Sequence, residues 1–156
     1  MEKLEIDLEQ RRQLAIDNFM NGYNCAQSIF LAYVDVFDLD PHLAKRLSGS
    51  FGGGMGRLRE VCGAVTGMFM ILGLHYSAVD PSRKDVKTAN YAAVQRVANA
   101  FKAQFGTIIC RELLGITQAE TYVPSDRTAE YYASRPCARF IGEAAVIVGK
   151  ELMNEF

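Results

Sequence analysis

Apolar positions along the chain recur at helical spacing almost from its start. Leu4, Leu8, Ala15 and Phe19 share one face of a 3.6-residue period, and Gly22 offers a stop for this first helix. The run Asn24-Cys25-Ala26-Gln27 resembles a capping box, which makes Cys25 the first residue of a second helix. That helix carries Ile29, Phe30, Tyr33 and Val34 toward Phe37 and breaks near Asp38. Asp40-Pro41 caps a short third helix, with proline tolerated at its first position. Ser48 to Arg57 holds five glycines and is a loop, since each glycine costs a helix interior about 1 kcal/mol against alanine.

Beyond that loop, Leu58, Val61, Val65, Phe69, Leu72 and Tyr76 predict a long, mostly buried helix with Cys62 inside its first two turns. Asp80-Pro81 repeats the cap-plus-proline signal. The helix after it turns Val86, Ala89, Ala93, Val97, Ala100, Phe101 and Phe105 inward and Arg83, Lys84, Lys87 and Lys102 outward. Gly106-Thr107 ends that helix and caps another, placing Cys110 at its third position, and Leu114-Gly115 closes it. Gln118 to Arg135 lacks a strong period and is expected to be a partly ordered connection with one helical turn. Ser134-Arg135-Pro136-Cys137 opens the last helix, whose buried face is Phe140, Ala144, Ile147 and Val148. No run alternates convincingly as a strand does, so the fold class is all-α: one domain over residues 1–156, a bundle of about six or seven helices.

Composition narrows the function classes. The chain is 49% hydrophobic and 22% charged with a net charge of -1, so it has no global basic field for nucleic acid or anionic lipid. The most apolar stretch, Val61 to Leu74, falls short of the roughly 20 residues that span a bilayer, so no membrane partner is expected. The charged start MEKLEIDLEQRR lacks the apolar core of a signal peptide, and a cytoplasmic location is the expectation.

In a reducing compartment the four cysteines, Cys25, Cys62, Cys110 and Cys137, read as free thiols, redox-cycling pairs or metal ligands. Their spacing excludes any local CxxC pair, so shared chemistry must be assembled by folding. Helix-start placement favours the thiolate through the positive end of the helix dipole. Gly63 and Gly67, four residues apart after Cys62, share a helix face and allow a second helix, and a second sulfur, to approach closely. Arg57 and Arg59 could add positive charge beside the glycine loop, which lacks the Gly-Lys-Ser/Thr ending of a P-loop. His42 reads as a surface residue. His75 lies roughly 20 Å along its helix from Cys62, too far for a shared dyad. The methionines, including Met55, Met68 and Met70, read as core filler.

Cys25, the segment Cys62-Gly63-Ala64-Val65-Thr66-Gly67, Cys110 and Cys137, in that order, resemble the C_GCAxxG_C_C family of redox-active proteins, with its four cysteines and CGAxxG core. Gly22-Tyr23-Asn24-Cys25-Ala26-Gln27 and Phe51-Gly52-Gly53-Gly54-Met55-Gly56 are similar to the same family. The resemblance implies an all-helical fold and redox roles for the four cysteines. Three functions stand open. The first is dithiol/disulfide cycling or electron transfer, with Cys62 central, Cys110 and Cys25 as resolving partners, and a redox partner protein. The second is an iron-sulfur cluster or another thiophilic metal held by Cys25, Cys62, Cys110 and Cys137. The third is a helical interaction module, such as a homodimer, with Gly63/Gly67 and Gly142/Gly149 serving packing alone.

Overall fold

The computed structural model describes residues 4–156, so the first three residues of the charged N-terminal stretch lie outside them. The described chain is all-helical: α1 Leu8–Met20, α2 Cys25–Leu31, α3 Pro41–Ser48, the single turn α4 Gly52–Met55, α5 Gly63–Tyr76, α6 Lys84–Phe105, α7 Cys110–Leu114, α8 Ala129–Ser134 and α9 Cys137–Leu152. Six of these have seven residues or more, which matches the expected bundle. Among the described residues no helix is long and apolar enough to cross a membrane.

Helix α9 is the spine. Twelve of its sixteen residues are buried, and it packs against α1, α5, α6 and α2. Its glycines set the approach to α1 and the chain after α2: a Cβ on Gly142 would sit 2.9 Å from Ile16 Cδ1, and one on Gly149 would sit 2.6 Å from both Leu8 Cδ2 and the Tyr33 hydroxyl. The fully buried Tyr33 donates its hydroxyl proton to the Ala145 carbonyl at 2.5 Å, which satisfies a phenol that burial would otherwise penalise. In the last turn of α9 the buried carboxylate of Glu151 is held by Arg96 and by the Tyr76 hydroxyl.

Several local expectations shift. Asn24 and Gln27 form the complete capping box, and Cys25 is the first residue of α2. That helix ends at Leu31, and a 3-10 turn over Val34–Phe37 carries the chain to Asp38, whose φ of 52° breaks it. Leu58 and Val61 are not helical. Leu58 is exposed, and Val61 pairs with Ile109 in an isolated antiparallel bridge, so α5 begins at Gly63 with Cys62 as its N-cap. Cys110 is the first residue of α7, not the third, because the same bridge holds Ile109 extended. Asp80-Pro81 forms a turn in which the Asp80 carboxylate takes the Ser82 N–H and hydroxyl, and α6 starts three residues after the proline. Ala89 lies on the exposed face of α6, where Thr88 and Tyr91 also lie, while Ala93, Val97 and Phe101 are buried as expected.

Candidate functional site

Each cysteine stands at a helix start: Cys25, Cys110 and Cys137 are first residues, and Cys62 is an N-cap. Three backbone devices bring these starts together. First, the segments around Val61 and Ile109 run antiparallel, with Cys62 N–H donating to Ile108 O at 2.8 Å and Cys110 N–H to Glu60 O at 2.6 Å, so Cys62 and Cys110 lie side by side. Second, α5 closes on α2 through its glycines. A Cβ on Gly63 would fall 2.8 Å from Cys25 Cβ, and one on Gly67 would fall 2.7 Å from Ile29 Cβ. Third, the glycine loop folds tightly under α7, where a Cβ on Gly54 would lie 2.8 Å from Cys110 Cβ.

That loop is more than a flexible turn. Gly53, Gly54, Met55, Gly56 and Arg57 have φ between 59° and 73°, a left-handed turn in which Met55 and Arg57 each bear a Cβ that disfavours it. Arg59 follows with φ 59°. Hydrogen bonds from Arg59 N–H to Gly53 O and from Glu60 N–H to Gly54 O hold the turn shut. Strain held by surrounding structure in this way concentrates at functional sites.

All four cysteines line one cavity of about 60 Å³, together with Gly53, Gly54, Gly63, Arg59, Arg127, Arg135 and Tyr131. Cys62, Cys110 and Cys137 are buried and Cys25 is partly buried; all four are free thiols. Arg59, 8% exposed, donates through its guanidinium to Cys110 Sγ at 3.5 Å and to Glu120 Oε1 at 2.5 Å.

Helix-start placement alone does not set the thiol acidities. Cys62 is pushed up to about 12 by burial, although the N–H groups of Ala64 and Val65 pull the other way. Cys110 is raised by burial, with Arg59 opposing. Cys25 is raised well above the ordinary range, first by its hydrogen bond to Cys137 and then by burial. Cys137 alone moves down, to about 7, because the Cys25 thiol donates to it and Arg135, Arg59 and Arg127 stand around it, which together outweigh its burial. The two form one titrating pair, with the proton on Cys25 and the charge on Cys137. At Cys62, expected above as the central thiol, the helix dipole contributes less than the removal of water from a residue 5% exposed.

A protein-family profile described as "Putative redox-active protein (C_GCAxxG_C_C)" matches residues 23–151 of the chain. The chain belongs to that family. The matched span contains all four cysteines, the CGAVTG segment and the arginines around the cavity, so the C_GCAxxG_C_C signature coincides with the thiol cluster. Comparisons with curated proteins and with solved structures found no match.

The other sequence candidates fall outside the cluster. His42 is exposed, and His75 packs between Phe37 and Tyr76 with its pKa lowered by burial. Met68 is wholly buried core. Among the described residues no group of three or more His, Cys, Asp or Glu side chains is disposed to hold a metal ion, so the four cysteines share a cavity without forming a preset ligand cage. Arg127, Arg135 and Glu120 escaped sequence reasoning. They come from the segment without periodicity, and nothing in their local sequence marks them as site residues.

Proposed function

We propose that the protein is a thiol redox protein in which Cys25 and Cys137 cycle between dithiol and disulfide. The observation that carries this reading is that all four cysteines line one cavity, in which Cys25 and Cys137 set each other's acidity. An acidic thiol next to a protonated one divides the work of exchange. The Cys137 thiolate attacks a sulfur of an acceptor disulfide, and the first thiolate leaves and takes up a proton. The Cys25 thiol then loses its proton, attacks the Cys137 sulfur of the mixed disulfide and expels the second thiolate, which is protonated in turn. Two electrons pass to the acceptor, which gains one proton from Cys25 and one from solvent, and one Cys25–Cys137 disulfide remains.

Cys62 and Cys110 have the opposite character. Burial holds both as neutral thiols at physiological pH, so they form the apolar and weakly hydrogen-bonding wall of the cavity. The reduced protein has four thiols. Oxidation with a stoichiometric diamide addition, followed by thiol counting under denaturing conditions, is expected to leave two. Four remaining thiols with the diamide left unconsumed would rule the reading out.

A further inference from the structure

The thiol cavity has a second hollow beside it. This outer chamber, of about 210 Å³, shares Asn24, Gly53, Arg59, Arg127 and Tyr131 with the inner one, so the two are neighbours across a common wall. Their linings contribute four guanidiniums, Arg57, Arg59, Arg127 and Arg135, and no carboxylate. Glu120 approaches from outside, at 2.5 Å from Arg59 and 3.5 Å from Arg57. Arg127 has only neutral partners among the described residues: it donates to the carbonyls of Phe19 and Tyr23 and lies over the Phe19 and Tyr131 rings. Arg135 lies over the Tyr131 ring.

Carbonyls and ring faces fix a guanidinium in place without cancelling its charge. The Cys137 thiolate and Glu120 balance two of the four cations, and the rest face the chambers. Such a surplus in a low-dielectric cleft attracts an anion and speeds its arrival. The inner space admits only a slender group, since a single water needs about 10–15 Å³ of such volume. Of the glycines on the outer wall, Gly56 leaves its backbone open, with Ser50 O 3.9 Å from where a Cβ would stand, while Gly52 packs against Asn24.

We propose that the outer chamber binds the carboxylates of a small acidic disulfide, placing its sulfurs at Cys137 in the inner cavity. The inference rests on the Cys25–Cys137 exchange reading and assigns its substrate class. The reaction is the one balanced above: the acidic disulfide is reduced to two thiols as the protein dithiol becomes a disulfide. Arg57 and Arg127 are positioning residues for the carboxylates.

The test uses three disulfides of similar size and different charge: 3,3′-dithiodipropionate, bis(2-hydroxyethyl) disulfide and cystamine. Each rate of protein thiol loss at low salt is divided by the rate with free 2-mercaptoethanol, which removes intrinsic reactivity. The dianion is expected to exceed the dication by about tenfold or more, with the neutral compound between them, and the spread should shrink in 1 M salt. Arg57→Gln and Arg127→Gln should each narrow the dianion-to-dication ratio. Equal normalised rates for the three, or cystamine fastest, would overturn the substrate class while leaving the dithiol reading standing. If none of the three oxidises the Cys25–Cys137 pair, the dithiol reading itself fails and the inference with it. The wild-type charge series decides the matter even if a variant folds poorly.

Discussion

Gly63 is the residue through which sequence, packing and thiol chemistry meet, and Gly63→Ala is the sharpest perturbation of that link. The added methyl would lie 2.8 Å from Cys25 Cβ, 3.0 Å from Ala26 N and 3.1 Å from Phe51 O. Two of these neighbours are backbone atoms, so no side-chain rotation relieves the contact and α2 must move outward. Overpacking of this kind costs about 1–3 kcal/mol. The gain in helix propensity from Gly to Ala returns about 0.5–1 kcal/mol at most. The expected net loss is about 1–2 kcal/mol. Gly73, in the same helix, is the matched control: it is exposed, and a Cβ there meets nothing within 4 Å. Gly73→Ala should therefore stabilise by about 0.5–1 kcal/mol. Urea denaturation of the reduced proteins measures both, and each kcal/mol corresponds to about 2–4 °C in Tm for a chain of this size. Displacing α2 should also weaken the Cys25 hydrogen bond to Cys137 and raise the Cys137 pKa. A Gly63→Ala protein as stable as Gly73→Ala would refute the claim that helix contact at this glycine sets the cysteine geometry.

Other outcomes follow from the same site. The rate of single-site alkylation at Cys137 should rise through a midpoint at about pH 7, and Cys25→Ala should shift that midpoint upward by removing the donor; peptide mass spectrometry of iodoacetamide-treated samples reads both. Cys137 has a depressed pKa, so its contribution to stability is full above the unfolded-state value and is lost as pH falls through about 7, provided the thiols stay reduced. Cys62 has the opposite sign: its contribution is full below its ordinary value and is lost as pH rises toward about 12, so Cys62→Ala should flatten the alkaline arm of a urea-midpoint profile. Arg59→Gln removes the donor to Cys110 and should raise the Cys110 pKa further, measured by its alkylation profile. Tyr33→Phe removes the hydroxyl's bond to the Ala145 carbonyl, which keeps its helical partner, and should cost about 0.5–1.5 kcal/mol by denaturation.

Much of this architecture was legible before folding was considered. The capping box at Asn24 and Gln27 is a local pattern, and it places Cys25 at the head of α2 without tertiary help. The small-residue face of Gly63 and Gly67 signals a close helix approach, and its partner is Cys25 and Ile29 of α2. The start of α5 was misplaced because Leu58 and Val61 happen to fit a helical period, while their backbone is committed to a nonlocal bridge with Ile109 and to the left-handed turn before it. That bridge also moved Cys110 to the first position of α7. Periodicity carries no trace of a pairing between residues so far apart in the chain. The arginine surround was hidden for a similar reason: Arg127 and Arg135 lie in a segment without apolar rhythm, and only the fold turns them toward the sulfurs. The relative acidities of the four thiols were also beyond reach, because they depend on burial and on which thiol donates to which.

The most direct test of the central claim is disulfide mapping by peptide mass spectrometry after mild oxidation of the native protein. A Cys25–Cys137 bond, with Cys62 and Cys110 recovered as free thiols, is the predicted result. A bond between Cys62 and Cys110 with Cys25 and Cys137 still free would contradict it.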